Sequence, residues 1–259
     1  MVAEKKTLNK TEKRVIRILI GAAVVAALIF VCILFVNDYY KAYSTAQKAI
    51  LGNAKVAVTK EDNYYYFALK EDAVSTDDID MPGLGKGIIF YPGGKVDETA
   101  YAPMLLEFAE LGYDVYLVKM PAKLAIFGMN RADEIIQGNP DTEEWIMAGH
   151  SLGGAMAASY SAKHDDKIDG LLLLAAYSME DLTEKDIFVY SFYGSEDGVL
   201  NMENYEKYRD NLPKDTLESV IDGGNHAYFG FYGEQEGDGS ATIDREEQIE
   251  AVLDLMHTQ

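Results

Sequence analysis

Gly149-His150-Ser151-Leu152-Gly153-Gly154 decides how this chain is read. The stretch has the form G-x-S-x-G. In that pattern a serine stands on a sharp turn between a strand and a helix, and small residues two before and two after it let the backbone fold so tightly. The flanks supply the required setting. Glu144-Trp145-Ile146-Met147-Ala148 reads as a short apolar strand entering the turn, and Ala155-Met156-Ala157-Ala158-Ser159-Tyr160 as the small-residue start of a helix packed close behind it. Ser151 is therefore a candidate nucleophile. The plainer alternative is an ordinary serine in a glycine-rich turn, and it is weighed against whether a base and an acid can also be found.

A serine hydroxyl needs a base to take its proton, usually a histidine held in one tautomer by a buried carboxylate. With a strand–turn–helix nucleophile the chain order is serine, acid, histidine. Of the four histidines, His150 is the serine's neighbour and points elsewhere. His164 reads as a solvated helix-end residue, and His257 lies at the C-terminal end. His226 follows the last expected strand in Asp222-Gly223-Gly224-Asn225-His226, where the glycines permit a tight loop, so it is the candidate base. The acid is expected after the strand ending at Tyr193, in Gly194-Ser195-Glu196-Asp197-Gly198. Asp197 is favoured, with Glu196 and then Asp222 as alternatives. Two backbone N–H groups should face the tetrahedral oxyanion. One is that of Leu152, just after the serine. The other comes from Pro92-Gly93-Gly94-Lys95, with Gly94 first and Gly93 or Lys95 beside it.

Strand and helix patterns alternate outward from this centre. Tyr64–Leu69, Gly87–Tyr91, Val115–Val118, Ile168–Ala175, Ile187–Tyr193 and Leu217–Ile221 read as strands, and Ala57-Val58 as part of an opening antiparallel strand. Glu98–Leu111, Arg131–Gln137 and a last segment begun by an Asp244/Glu247 capping box read as helices. Asp77–Gly85 reads as a polar turn. The expectation is an α/β fold with a mainly parallel central sheet and helices on both faces. The Tyr177–Asp186 stretch is too short for a lid domain, so an open cleft is expected.

Ile18–Val36, ILIGAAVVAALIFVCILFV, contains no charge, and an apolar run of about 18 or more residues is a candidate membrane-spanning helix. Lys5, Lys6, Lys10, Lys13, Arg14 and Arg17 precede it. Against Glu4 and Glu12 they give the first seventeen residues +4, leaving −24 of the total −20 on the remainder. By the positive-inside rule the N-terminus is cytoplasmic and the body lies outside, with Tyr39 and Tyr40 at the outer interface. A cleaved signal would have a shorter apolar core, about 7–15 residues, and a small-x-small site close behind. The nearest such site, Ser44-Thr45-Ala46, is well downstream. The expected organisation is a basic cytoplasmic N-terminus (1–17), a transmembrane anchor (18–36), a linker (37–54) and a catalytic domain (55–259). The acidic body argues against nucleic acid as a partner. The single cysteine, Cys32, excludes an internal disulfide and cysteine-built metal sites.

Together these residues resemble the α/β-hydrolase superfamily and, more narrowly, bacterial α/β-hydrolases similar to dienelactone hydrolases. The resemblance runs through Tyr91-Pro92-Gly93-Gly94-Lys95-Val96-Asp97, Ala100–Pro103, Val118–Pro121, the Ser151 turn, Gly223–Ala227 and Gly237-Asp238-Gly239-Ser240-Ala241-Thr242-Ile243, and covers about residues 55–259. It implies the α/β-hydrolase fold and a triad of Ser151, Asp197 and His226. It departs from dienelactone hydrolases in carrying serine where they commonly carry cysteine. The expected activity is hydrolysis of small esters without metal or organic cofactor. Acyl transfer to an alcohol and a catalytically silent binding domain stand as alternatives. Lys95 and Lys119 are expected either to bind a substrate anion or to pair with local acids such as Asp97. Tyr228, Phe229, Phe231 and Tyr232 are expected either to wall a pocket or to pack the loop after His226.

Overall fold

The computed structural model describes residues 10–73 and 81–257. Lys5, Lys6 and residues 77–80 of the expected turn lie outside them. The chain divides into two units, Met1–Tyr39 and Tyr40–Gln259. The described part of the first is dominated by one helix, α1 (Lys10–Asn37). Within it Arg17–Asn37, 21 residues of mean hydropathy 3.2, is long and apolar enough to cross a membrane. At 1.5 Å per residue such a segment is about 31 Å long, close to the hydrocarbon thickness of a bilayer.

The second unit is built on eight strands: β1 (Val56–Lys60), β2 (Tyr64–Leu69), β3 (Lys86–Tyr91), β4 (Asp114–Val118), β5 (Glu144–His150), β6 (Gly170–Leu174), β7 (Phe188–Gly194) and β8 (Leu217–Ile221). Their order is β1-β2-β4-β3-β5-β6-β7-β8. β2 is antiparallel to β1 and β4, and every other pairing is parallel. Alternation along the strands sorts the core into two layers. Ile88 and Phe90 of β3, with Leu172 and Leu174 of β6, pack with α3 (Ala102–Glu110) and α7 (Arg245–His257). Ile89, Tyr91, Leu171 and Leu173 face the other way, toward α4 (Ala132–Gly138) and α5 (Leu152–Lys163). This is the α/β-hydrolase fold.

Strand order positions the site. The chain leaves β3 to form β4 on one side, then crosses back to form β5 on the other. At such a switch point the loops after adjacent strands diverge and leave a crevice at the carboxyl edge. The loop after β3 begins at Pro92, and the turn after β5 carries Ser151.

The structure refines several expected elements. The helix expected over Glu98–Leu111 opens as a 3-10 turn, Glu98–Tyr101, and becomes α3 only at Ala102. Pro103 sits in its first turn, where the missing N–H costs nothing. The capping box is formed: Glu247 N–H donates to Asp244 Oδ1 at 2.8 Å, and Asp244 N–H to Glu247 Oε2 at 2.8 Å. A helix the sequence reading passed over, α6 (Met202–Tyr208), is capped by Asn201, whose Oδ1 accepts from Asn204 N–H. The β6–β7 connection holds no helix.

Residues 37–54 were expected as a linker. From Tyr40 onward they are instead part of the second unit. Tyr40 N–H donates to Lys95 O and Asp97 N–H to Tyr40 O, both at 2.8 Å. Tyr43 N–H donates to Phe231 O at 2.8 Å, and Ala42 bridges Tyr232. A short helix, α2 (Ser44–Ala49), follows, with Ala46 0% exposed. The extended backbone at 40–43 satisfies polar groups of two loops at once, and the small Ala46 fits flush into the core. Ala46→Glu places an unpaired charge there and is expected to lower stability by at least about 2 kcal/mol; a thermal unfolding curve unchanged from wild type would mean the segment is a tether after all.

Candidate active site

Backbone crowding sets the geometry around Ser151. Ser151 has φ 53° and ψ −124°, a conformation that a non-glycine residue holds at a strain of about 1–3 kcal/mol. Its N–H extends the sheet by donating to Leu174 O at 2.9 Å, and α5 begins at the next residue. A Cβ on Gly149 would lie 2.6 Å from the Gly153 carbonyl carbon, and one on Gly153 would lie 2.0 Å from Tyr91 O. Both positions therefore require glycine. The partly exposed serine stands at the first turn of α5.

Asp197 and His226 meet on loops after β7 and β8. His226 Nδ1 is 2.8 Å from Asp197 Oδ2, and both side chains are 1% exposed. Asp197 Oδ1 accepts from Val199 N–H at 2.9 Å and Leu200 N–H at 2.7 Å. With this oxygen occupied by backbone, the carboxylate can turn only Oδ2 to the ring. A carboxylate partner places a proton on Nδ1 and leaves the Nε2 lone pair to accept one. Nε2 is buried and has no hydrogen-bond partner among the described residues. The ring lies against His150, the residue before the serine, with centroids 4.5 Å apart. Of the alternative acids, Glu196 and Asp222 are both exposed, and Glu196 accepts from Ser195 Oγ.

The loop after β3 offers one unengaged amide. Gly93 N–H donates to Tyr101 Oη at 3.0 Å, and Lys95 N–H donates to Lys123 O at 2.8 Å. Gly94 N–H has no acceptor among the described residues. A Cβ on Gly94 would stand 3.1 Å from Leu152 Cδ2, so this loop and the start of α5 adjoin. The N–H of Leu152, in the first turn of a helix, has no intrahelical acceptor.

Several supporting groups had no separate signal in the sequence. Gln248 of α7, wholly buried, accepts from Asn225 N–H at 2.9 Å and donates to Asn225 O at 2.8 Å. Arg245 donates to the carbonyls of Ala227, Gly230 and Tyr232 and stacks on Tyr228 at 4.2 Å. Phe229, Phe231 and Tyr232 are buried in the core and pack the loop, whereas the half-buried Tyr228 borders a depression of about 310 Å3 with Asn225 and Asp238. Lys119 is not at the cleft: its N–H donates to Asn63 O, and its ammonium reaches the Glu61 carbonyl and covers the Tyr65 ring. Pairing with β2 continues past the end of β4 and carries this lysine to the β1–β2 turn. Asp97 lies 3.8 Å from Lys123 Nζ.

His150, beside Ser151, belongs to a buried hydrogen-bonded pair. Tyr101 Oη lies 2.8 Å from His150 Nδ1. That hydroxyl also accepts from Gly93 N–H at 3.0 Å, so Tyr101 joins His150 to the loop after β3. Burial, and then the neighbouring His226, hold His150 well below the ordinary imidazole value of 6.5. Below about 6.5 the unfolded chain takes up a proton that buried His150 does not, so this residue makes stability fall on acidification, by at most about 1.4 kcal/mol per pH unit. His150→Asn is expected to flatten that slope when thermal unfolding is followed from pH 7 to pH 5; an equal slope in both proteins would refute the assignment.

Comparison with known proteins agrees with this architecture. The sequence pattern of the Alpha/beta hydrolase family matches residues 87–250. A protein of Mycobacterium phage D29, provisionally named a non-heme haloperoxidase, is 29% identical over 103 residues, spanning 36% of this chain and 37% of that protein. A predicted CIB-like hydrolase from Thermoplasma acidophilum superposes with a TM-score of 0.58 at 13% identity, covering 79% of this chain and 100% of the other. The thermophilic esterase Est2 of Thermogutta terrifontis gives 0.51 at 14% identity, covering 80% and 92%. The family match spans well over half of the chain and includes the Ser151 turn: this chain belongs to the alpha/beta hydrolase family.

Proposed function

We propose that the chain is a membrane-anchored serine hydrolase, a carboxylesterase acting on small esters outside the cytoplasm. The observation that carries this reading is the buried His226–Asp197 pair beside a strained serine turn, with Nε2 of the imidazole left unengaged. Ser151 Oγ attacks the ester carbonyl carbon while His226 Nε2 takes its proton. The carbonyl oxygen becomes an oxyanion, held by the N–H groups of Leu152 and Gly94. Asp197 keeps His226 in the Nδ1–H tautomer and stabilises the imidazolium. The tetrahedral adduct collapses by expelling the alkoxide, which takes the proton from His226. Water then attacks the acyl-serine and gives a proton to His226; the second tetrahedral adduct expels Ser151 Oγ, which takes that proton back, and the carboxylic acid leaves.

Several features favour small or protruding esters. The β6–β7 connection carries no lid helix. The loop after β4 borders a depression of about 660 Å3 and exposes Ile126 and Phe127, 59% and 64%. Leu124 of the same loop reaches to within 3.6 Å of where a Gly94 side chain would begin, so apolar surface adjoins the proposed oxyanion donor. The relation to a structural neighbour named an esterase supports an ester substrate. The charge-free run Ile18–Val36 within the Arg17–Asn37 helix segment, preceded by basic residues, supports an uncleaved anchor with a cytoplasmic N-terminus.

Fluorophosphonate labelling of the full-length protein in detergent tests the reading. Wild type is expected to label at Ser151, with no labelling of Ser151→Ala and at least a hundredfold slower labelling of His226→Ala. Asp197→Asn is expected to lower kcat roughly 10^3–10^4-fold. A folded wild type that does not label would turn the reading toward a silent binding domain.

A further inference from the structure

Gly237-Asp238-Gly239 lies outside the three residues given chemical roles, yet it touches the loops that carry two of them. Asp238 Oδ1 accepts from Gly198 N–H at 3.1 Å, His226 N–H at 3.2 Å and Gly239 N–H at 2.9 Å. Its Oδ2 accepts from Ala227 N–H at 2.8 Å. One carboxylate thus holds the residue after the acid, the base itself and the residue after the base. Asn225, just before the base, donates from Nδ2 to Gly239 O at 2.8 Å.

Backbone contact makes the joint close. A Cβ on Gly239 would lie 1.9 Å from Glu196 O, and one on Gly198 would lie 2.4 Å from Gly237 O. Two chain segments forty residues apart therefore touch main chain to main chain beside Asp197. We propose that Asp238 is a positioning residue for the reaction: it buckles the acid loop to the histidine loop and so fixes the Asp197–His226 hydrogen bond. The physical basis is the number of acceptors. A carboxylate offers lone pairs on both oxygens, and four converging amide protons use both. An amide at this position would turn an N–H2 group toward at least one backbone N–H, donor against donor, and leave a part-buried amide unsatisfied. The two loops are also joined by Glu196 N–H to Gly224 O and Gly223 N–H to Ser195 Oγ, both at 2.8 Å, but these bonds precede the acid and the base, so the loss falls on the placement of residues 197–198 against 226–227.

The inference rests on Ser151, His226 and Asp197 acting as proposed, and the test separates the two. Asp238→Asn in the full chain is expected to lower kcat for a short ester 10- to 100-fold with KM within twofold. It should also weaken or abolish the low-field proton resonance of His226 Nδ1–H, which is expected in wild type and absent from Asp197→Asn. Asn225→Ser, which loses the bond to Gly239 O and the one that Asn225 Oδ1 accepts from Tyr228 N–H at 3.0 Å, should show the same pattern with a three- to tenfold loss in kcat. A kcat within twofold of wild type and an intact resonance in Asp238→Asn would overturn the proposal. Should Asp238→Asn not fold, Asn225→Ser decides alone, and a wild-type kcat and resonance there would overturn it equally. If wild type neither labels nor hydrolyses esters, the catalytic reading fails, while the resonance still reports whether Asp238 holds His226 on Asp197.

Discussion

Close approach of backbone at the Ser151 turn constrains everything around it. The carbonyl of Tyr91 occupies the space a side chain on residue 153 would need, and residues 149 and 153 touch across the turn. Strand β3, strand β5 and the start of α5 are therefore locked at van der Waals distance. Only with that spacing can the loop after β3 bring Gly94 beside Leu152, and only with Ser151 in its unusual conformation does the hydroxyl leave the strand while the chain turns into a helix. The local strain is supported by the sheet itself, since Ser151 still hydrogen-bonds to Leu174 of β6. A rigid parallel sheet buried on both faces can sustain such a conformation where an isolated turn could not.

Around this fixed point the other groups are set by main chain more than by side-chain contact. Gly93 is tied by Tyr101, Lys95 by Lys123, Asn225 by Gln248, and the loop after His226 by Arg245 and Asp238. Each takes up amides or carbonyls that would otherwise be buried without partners. Gly94 and Leu152 are the contrasting positions, with N–H groups left over at the place where the proposed reaction would develop negative charge. A site preorganised in this way needs little rearrangement when a substrate arrives.

Much of the scaffold could be read directly from the residues. Apolar runs bounded by turn residues gave the central strands, because parallel strands buried on both faces carry a continuous hydrophobic signal: Gly170–Leu174, buried throughout, lies within the expected Ile168–Ala175. The Asp244/Glu247 box was legible because its bonds are local. What escaped reading depends on distant partners. Residues 40–54 mix small, aromatic and polar side chains without a sustained period, and their docking follows from the loops they meet. Helix α6 buries only Tyr205, so it shows almost no periodicity. Lys119 follows a strand that ends at the cleft, but its direction is set by an antiparallel neighbour. Asp238 looks like one more acid in an acidic chain, since its meaning lies in amides brought in from residues 198, 226 and 227.

The stretch from Tyr40 to Ala46 has a consequence for how such a protein can be released. Ser44-Thr45-Ala46 is the nearest sequence that resembles a processing site, yet it lies within a docked helix and Ala46 is fully covered. Scission there would discard Tyr40, Ala42 and Tyr43, whose main-chain groups join the loop after β3 to the loop after His226. A shed, soluble form made by that cut would keep every residue with a proposed chemical role and lose the strap that holds two of their loops together. Residues 40–46 thus belong with the proposed site, and a released form that kept them would have to be cut before residue 40.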